Sequence, residues 1–284
     1  MNRLKSLFVV WYPLLVIVIA LGATAALLAR GFDVAWLGAL LTVLPFIGLY
    51  IRAVTAKKMA RTSHRLPVLS AVTLAGVGLA FYGWSQNGDS APLALVAAVL
   101  GGIGFFLFDF WYSSFGRTVS ERLVEGGRLP EFVVEDVHGK PVESGSLLGR
   151  PTLFMFYRGN WCPFCMGQVR EIAEQYKALD ARGVTVAFIS PQPTGLTDRV
   201  ADIFGIPFRF LVDRDLRAAR ALGIVHEYGV PAGSLARKYG RDTVLPTVVI
   251  TDPEGKILFT DQTDNYRVRP DPAIFSRVLS AHGY

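Results

Sequence analysis

The sequence predicts two units of different fold class: an all-α region of four transmembrane helices in residues 1–116, and an α/β domain with a mixed central sheet flanked by helices in residues 117–284. Of the 284 residues, 51% are hydrophobic and only 18% are charged, whereas a soluble domain is about one-quarter charged. Residues 1–116 hold only eight of the 29 Lys and Arg residues and three of the 23 Asp and Glu residues. After residue 117, apolar runs typical of strands alternate with helical patterns.

Four apolar stretches in the first region are long enough to cross a membrane, for which a helix needs about 20 mainly apolar residues. The predicted spans are residues 7–29, 34–54, 66–84 and 92–112. A cleaved signal peptide is the alternative for the first stretch. Its length and the three spans that follow favour an uncleaved helix.

The basic residues of this region alternate between connections, which predicts its orientation. Arg3 and Lys5 precede the first span, the first loop has only Arg30, and the third loop has none. The second loop has five basic residues: Arg52, Lys57, Lys58, Arg61 and Arg65. We therefore expect a multi-pass cell (inner) membrane protein with both termini and the second domain in the cytoplasm. A miscounted span would place the second domain outside.

Asp109 is the single acidic residue inside a predicted span. An intramembrane carboxylate is a functional candidate, but the position of Asp109 near the end of the span favours contact with the interface or pairing with a basic residue such as Arg117. The few polar residues of the spans favour a lipid-bilayer anchor. A transport or assembly factor with a redox-sensing domain is the less favoured alternative.

The second region predicts alternating strands and helices, hence a mixed sheet with helices on its faces. The predicted elements are a strand at 132–137 with a turn at 138–140, buried strands at 151–157 and 184–190, a helix from residue 163 that stops at Gly183, a short helix at 215–222, a hairpin at 247–260 and a closing helix at 272–282.

The chain has two cysteines, Cys162 and Cys165, between a predicted strand and a predicted helix. They are too few for a disulfide scaffold, and no second Cys/His pair lies at a spacing suitable for zinc. No metal, cofactor or nucleic acid is therefore expected. With Pro163 as first helical residue, Cys162 lies at the helix N-terminus, which stabilises a thiolate. Cys165 is one turn further on and can attack a mixed disulfide. The pattern predicts a redox dithiol; an incidental buried pair or half of a metal site is the alternative.

Residues 156–165, ending in Trp161-Cys162-Pro163-Phe164-Cys165, resemble the active-site segment of peroxiredoxin-like redoxins of the thioredoxin superfamily, in the alkyl hydroperoxide reductase/thiol-specific antioxidant (AhpC/TSA) group. Residues 130–151, 206–223 and 248–255 resemble further segments of that group. The resemblance covers residues 128–284 and implies a thioredoxin-like fold.

Two positions depart from the peroxidases of this group, which usually carry Thr or Ser three residues before the peroxidatic cysteine and Arg before the late hairpin strand. Here Cys165 falls at the peroxidatic place, Cys162 replaces the Thr or Ser, and Pro246 replaces the Arg. Leu245-Pro246-Thr247 instead resembles the cis-proline loop of thioredoxin-type oxidoreductases. The resemblance implies a cis bond before Pro246, against the alternative of a trans proline at a strand edge, and a substrate groove shaped by Pro246 and Trp161.

The remaining candidates are less specific. Arg158 is expected to hold the thiolate, to bind an acidic substrate or to be a solvated loop charge. His226 is expected at the surface, with a role as a base as the alternative, and residues 226–241 are expected to form a loop insertion near the site. Tyr266, Arg267 and Arg269 resemble a tail signature of the group without an assigned role.

The sequence therefore predicts a membrane-anchored thiol–disulfide oxidoreductase, in which Cys162 attacks and Cys165 resolves. Its partners are the lipid bilayer, a protein or small-molecule disulfide, and an external thiol reductant. The alternative is a thiol peroxidase acting on a peroxide, with Cys165 peroxidatic and Cys162 resolving.

Overall fold

The computed structural model describes residues 2–55, 61–87, 92–205 and 208–284. The chain divides into two compact units, one containing the helices before Ser114 and the other containing Phe115–Tyr284 together with Arg61. Several sequence expectations fall outside the described residues: the basic pair at 57–58, part of the third loop at 88–89, and residues 206–207.

The first unit is helical, as the sequence predicted. Its helices are α1 (Asn2–Arg30), α2 (Val34–Thr55), α3 (Pro67–Asn87) and α4 (Pro92–Phe106), and a π-helical segment, Leu107–Tyr112, continues α4. Among the described residues, these are four helices long and apolar enough to cross a membrane, counting the π-helical segment with α4.

Glycines allow the helices of this unit to pack closely. A Cβ at Gly38 of α2 would lie 2.4 Å from the backbone nitrogen of Ala80 in α3, and one at Gly104 would lie 2.2 Å from the ring of Tyr12. Such contacts are typical of membrane helices, in which small residues let backbones approach.

Asp109 lies in the π-helical segment and is 1% exposed. Its carboxylate accepts a hydrogen bond from the backbone N–H of Leu66, just before α3, at 3.2 Å, and its carbonyl accepts one from Arg65. The carboxylate thus satisfies a backbone donor that precedes a helix, which is what a buried helix start requires. A pairing of Asp109 with Arg117, which belongs to the other unit, stays a prediction.

The second unit is built on a seven-stranded mixed sheet with the order β2-β1-β5-β4-β3-β8-β9. The strands are β1 (Val133–Glu135), β2 (Pro141–Glu143), β3 (Thr152–Phe156), β4 (Thr185–Ser190), β5 (Arg209–Val212), β8 (Thr247–Thr251) and β9 (Ile257–Asp261), and a separate pair is formed by β6 (Val225–His226) and β7 (Thr243–Val244). The helices are α5 (Pro163–Glu174), α6 (Tyr176–Asp180), α7 (Thr194–Phe204), α8 (Arg217–Leu222), α9 (Ser234–Tyr239) and α10 (Pro272–Ala281). The predicted α/β class with a mixed sheet is confirmed.

Strand β3 positions the cysteines. All five of its residues are buried, and the rings of Phe154 and Phe156 pack edge-to-face against Phe132. β3 runs parallel to β4 and antiparallel to β8, so that Phe156 at its end lies opposite Thr247 at the start of β8. This register brings the chain around Pro246 to the sheet end from which the cysteine segment leaves.

The helix predicted from residue 163 to Gly183 is divided in the structure. α5 ends at Glu174, and α6 begins at Tyr176 after Gln175, whose φ and ψ of −90° and 7° are not helical. Val169 and Ile172 are buried in α5, and Leu179 is buried in α6. These apolar residues recur at helical spacing across the break, so their spacing does not indicate the interruption.

Candidate active site

Cys162 is the residue that precedes α5, and Pro163 is the first residue of that helix. The Cys162 backbone is extended, with φ −95° and ψ 108°, and its carbonyl accepts the N–H of Met166 at 3.0 Å. The helix therefore begins where the sequence predicted. A helix N-terminus carries unpaired N–H groups and the positive end of the helix dipole, and both stabilise negative charge on Cys162.

Both cysteines are unpaired thiols and both are buried, Cys162 at 2% and Cys165 at 0% exposure. The hydrogen bond from the Cys165 side chain, together with the charges of Arg158 and Arg269, lowers the pKa of Cys162 to about 6 against the effect of burial. Burial raises the pKa of Cys165 well above its ordinary value, and the bond to Cys162 and the Cys162 charge raise it again. At neutral pH the arrangement therefore holds one thiolate, on Cys162, and one thiol, on Cys165.

Arg158 is 6% exposed, so the expectation of a solvated loop charge is wrong. Its guanidinium carbon lies 4.7 Å from the ring centroid of the half-buried Trp161 and 5.7 Å from that of Phe115. One of its terminal N–H groups donates to the carbonyl of Gly229. Packing against two aromatic rings removes the side chain from water and fixes it close to the thiolate.

Arg269 is a residue of the site that sequence reasoning left without a role. It is 5% exposed, and its Nη1 donates to the carbonyls of Asn265 at 2.9 Å and Val268 at 2.7 Å. Its guanidinium carbon lies 6.0 Å from the centroid of Phe115, the ring that Arg158 also faces. No local spacing connects Arg269 with the cysteines; the only signal was the family resemblance of the segment after β9.

The loop before β8 differs from the expectation. No peptide bond among the described residues is cis, so the predicted cis bond before Pro246 is wrong. The Pro246 carbonyl accepts a hydrogen bond from Arg117 Nη1 at 3.0 Å, and Thr247 Oγ1 accepts one from Arg117 Nη2 at 3.1 Å. Burial lowers the pKa of Arg117 to about 10, although Asp261 and Asp264 oppose the shift. Both bonds go to atoms that follow the Leu245–Pro246 peptide bond, which is trans, the lower-energy isomer for most X–Pro bonds.

The segment from β6 to β7 lies against the cysteine loop, as predicted for residues 226–241. The hydroxyl of Tyr239 in α9 donates to Asn160 Oδ1 at 2.7 Å, and Thr243 Oγ1 donates to the carbonyl of Arg158 at 2.9 Å. On the other side, the N–H of Asn160 donates to Gln192 Oε1 at 2.8 Å. His226 is 8% exposed and its ring packs against Phe115, so the expected surface position is wrong.

Across the described ranges, no three His, Cys, Asp or Glu side chains lie close enough together to hold a metal ion. The chemistry that the described side chains offer at this site is that of the two cysteines, with guanidinium and indole groups around them.

Comparison with known proteins finds similarity to part of the second unit. Residues 126–260 match the model of the AhpC/TSA family. The chain is similar to thiol-disulfide oxidoreductase ResA of Bacillus subtilis (strain 168), with 26% identity over 139 residues, which cover 49% of this chain and 67% of the relative. It is also similar to the chloroplastic peroxiredoxin Q of Sedum lineare, with 25% identity over 127 residues, covering 45% of this chain and 65% of the relative. A solved structure, Enterococcus faecalis AhpC, aligns with a TM-score of 0.46 and 19% identity over 56% of this chain and 92% of that one.

Proposed function

We propose that the chain is a thiol–disulfide oxidoreductase that reduces disulfides with Cys162 and Cys165. The match of residues 126–260 to the AhpC/TSA family model and the similarity to a thiol-disulfide oxidoreductase support this proposal. The observation that carries the proposal is the position of the pair, since Cys162 lies at the N-terminus of α5 and Cys165 lies in the first turn of that helix. The pKa of Cys162 is lowered to about 6, whereas that of Cys165 is raised. A thiolate next to a reserve thiol is what attack followed by resolution requires.

The reaction follows from this arrangement. The Cys162 thiolate attacks one sulfur of a substrate disulfide, the substrate S–S bond breaks, and one substrate thiolate leaves and takes up a proton from water. Cys165 then loses its proton and attacks Cys162 Sγ, which forms the protein disulfide and releases the second substrate thiol. Two electrons pass to the substrate, and an external thiol reductant returns two electrons to the pair. Trp161, Pro163, Pro246 and Arg158 border the substrate groove.

A thiol peroxidase is the second candidate function. The match to the AhpC/TSA family and the similarity to a peroxiredoxin Q favour it. In that reaction the Cys165 thiolate would attack a peroxide oxygen and become a sulfenic acid, and Cys162 would condense with it to give the disulfide and water. The raised pKa of Cys165 opposes this assignment, because the thiol form is a poor nucleophile.

The test compares both substrates on the purified full-length chain in detergent. With dithiothreitol as reductant, we expect the protein to accelerate the reduction of insulin disulfides. We expect it to consume hydrogen peroxide no faster than a free thiol of the same concentration. Fast peroxide consumption with insulin left intact would establish the peroxidase instead.

We further propose that residues 1–116 form a four-span anchor and residues 117–284 the redoxin domain. Four apolar helices support membrane association, and the alternation of basic loops supports a cytoplasmic position for both termini and the redox domain. Reporter enzymes fused to the C-terminus test the orientation: a cytoplasm-active reporter should function and an export-dependent one should not. The reverse pattern would contradict the cytoplasmic position.

A further inference from the structure

Among the residues that the structure describes, two buried guanidinium groups beside the dithiol bind no carboxylate. The hydrogen bonds of Arg158 and Arg269 to described residues go to the backbone carbonyls of Gly229, Asn265 and Val268. Other arginines of the chain do form ion pairs, as Arg61 does with Glu171 and Arg214 with Glu135. Buried charges are normally paired because their desolvation is costly, so this arrangement calls for an anion.

The same side chains hold N–H donors that are buried and unpartnered. These donors are Nε of Arg158 and both Nε and Nη2 of Arg269. The indole Nε1 of Trp161 is also buried without a hydrogen-bond partner. A buried donor without an acceptor is destabilising, and native structures rarely keep several of them without a reason. Since every group in this set is a donor, the missing partner is an acceptor.

The charge balance during the reaction also indicates an anionic partner for the two guanidinium groups. The Cys162 thiolate can offset one of the two guanidinium charges, and both guanidiniums lower the pKa of Cys162. Once Cys162 Sγ is bonded to a substrate sulfur it is neutral, and both positive charges remain. An anionic group on the substrate would offset them in the encounter complex and in the mixed disulfide.

We propose that Arg158 and Arg269 form an anion subsite next to Cys162, and that the substrate is a low-molecular-weight disulfide carrying a carboxylate close to its sulfur atoms. This inference rests on the proposed disulfide reduction. Guanidinium groups bind carboxylates through paired N–H donors, and Arg269 has two adjacent donors, Nε and Nη2, free for such a pair. Cys162 is 2% exposed, so any disulfide must open the surrounding chain to reach it, and a small one requires the least movement.

The experiment measures single-turnover oxidation of the pre-reduced full-length protein by three small disulfides: anionic 3,3′-dithiodipropionate, neutral 2,2′-dithiodiethanol and cationic cystamine. Rate constants are obtained by acid quench, alkylation and mass spectrometry. Because Arg158 and Arg269 also affect the thiolate, the informative quantity is the ratio of the anionic to the neutral rate constant. We expect Arg158→Gln and Arg269→Gln each to lower this ratio at least about tenfold. Arg214→Gln, an exposed arginine of the same domain, is the matched control and should leave the ratio unchanged.

A second measurement does not depend on disulfide reduction. Propionate should slow the alkylation of Cys162 by iodoacetamide in the wild-type protein and in Arg214→Gln, and should have no effect in Arg269→Gln. If an arginine variant fails to fold, the proposal can still be tested, because the effect of propionate on Cys162 alkylation is measured in the wild-type protein.

The outcomes separate the two proposals. Two results would overturn the anion subsite and leave the disulfide reductase standing, provided that dithiodiethanol oxidises the wild-type protein. One is an unchanged ratio of rate constants in both arginine variants. The other is an alkylation rate of Cys162 in the wild-type protein that propionate does not change. Failure of all three disulfides to oxidise the wild-type protein would overturn both.

Discussion

Replacement of Cys162 by serine is expected to lower the rate of disulfide reduction by at least about a thousandfold, because a serine hydroxyl is not ionised near neutral pH and cannot attack sulfur at a useful rate. Cys165→Ser should behave differently. It keeps the Cys162 nucleophile, so the first attack still occurs, but the mixed disulfide can no longer be resolved from within the protein.

Mass spectrometry of the two variants after mixing with insulin or with dithiodiethanol checks this assignment. Cys165→Ser should carry one substrate fragment on Cys162, and Cys162→Ser should carry none on Cys165, whose pKa is raised and whose side chain has no exposed surface. The double variant controls for adsorption of substrate. A fragment trapped on Cys165 but not on Cys162 would reverse the roles of the two cysteines and favour the peroxidase.

The part of this site that could be predicted from the sequence is the part encoded locally. Cys162, Pro163 and Cys165 lie within one helical turn, and the rules for helix starts place them without knowledge of the rest of the fold. The strand before them could be predicted for the same reason, since a short apolar run between polar segments is typical of a buried strand.

The residues that set the electrostatics could not be placed in this way. Arg269 follows the last strand of the sheet, and Phe115 precedes the first. The guanidinium carbon of Arg269 nevertheless lies 6.0 Å from the ring centroid of Phe115. That contact depends on tertiary packing, which neither periodicity nor motif spacing encodes. The burial of Arg158 is similar, since a charged loop residue is usually exposed and only the packing of Phe115 and Trp161 reverses the expectation.

The Pro246 loop shows how a resemblance can transfer the position of a residue but not its conformation. The structure places Pro246 immediately before β8, whose first residue, Thr247, lies opposite Phe156 at the end of β3. The carbonyl of that proline is bonded to Arg117, a residue far from it in the chain that a local motif does not include.

The alkylation rate of Cys162 is expected to rise tenfold per pH unit up to about pH 6 and to be level above it. Only the thiolate is alkylated, and the pKa of Cys162 is lowered to about 6. At pH 7 most of the molecules would carry the thiolate, against about 1% for a thiol with the ordinary pKa of 9.0, a difference of nearly a hundredfold in the thiolate fraction. Iodoacetamide labelling followed by peptide mass spectrometry distinguishes Cys162 from Cys165. A midpoint near 9 in the wild-type protein would contradict the prediction.

Cys165→Ala provides the sharper comparison, because the hydrogen bond from Cys165 is the largest cause of the low pKa of Cys162. Its loss should move the alkylation midpoint to higher pH, whereas Arg214→Gln should leave the midpoint in place. The same bond orders the two chemical steps. Burial raises the pKa of Cys165, and the bond to Cys162 and the Cys162 charge raise it further. When Cys162 enters a mixed disulfide, its charge disappears, and only burial still opposes the ionisation of Cys165. Cys165 therefore ionises more readily after Cys162 has reacted than before.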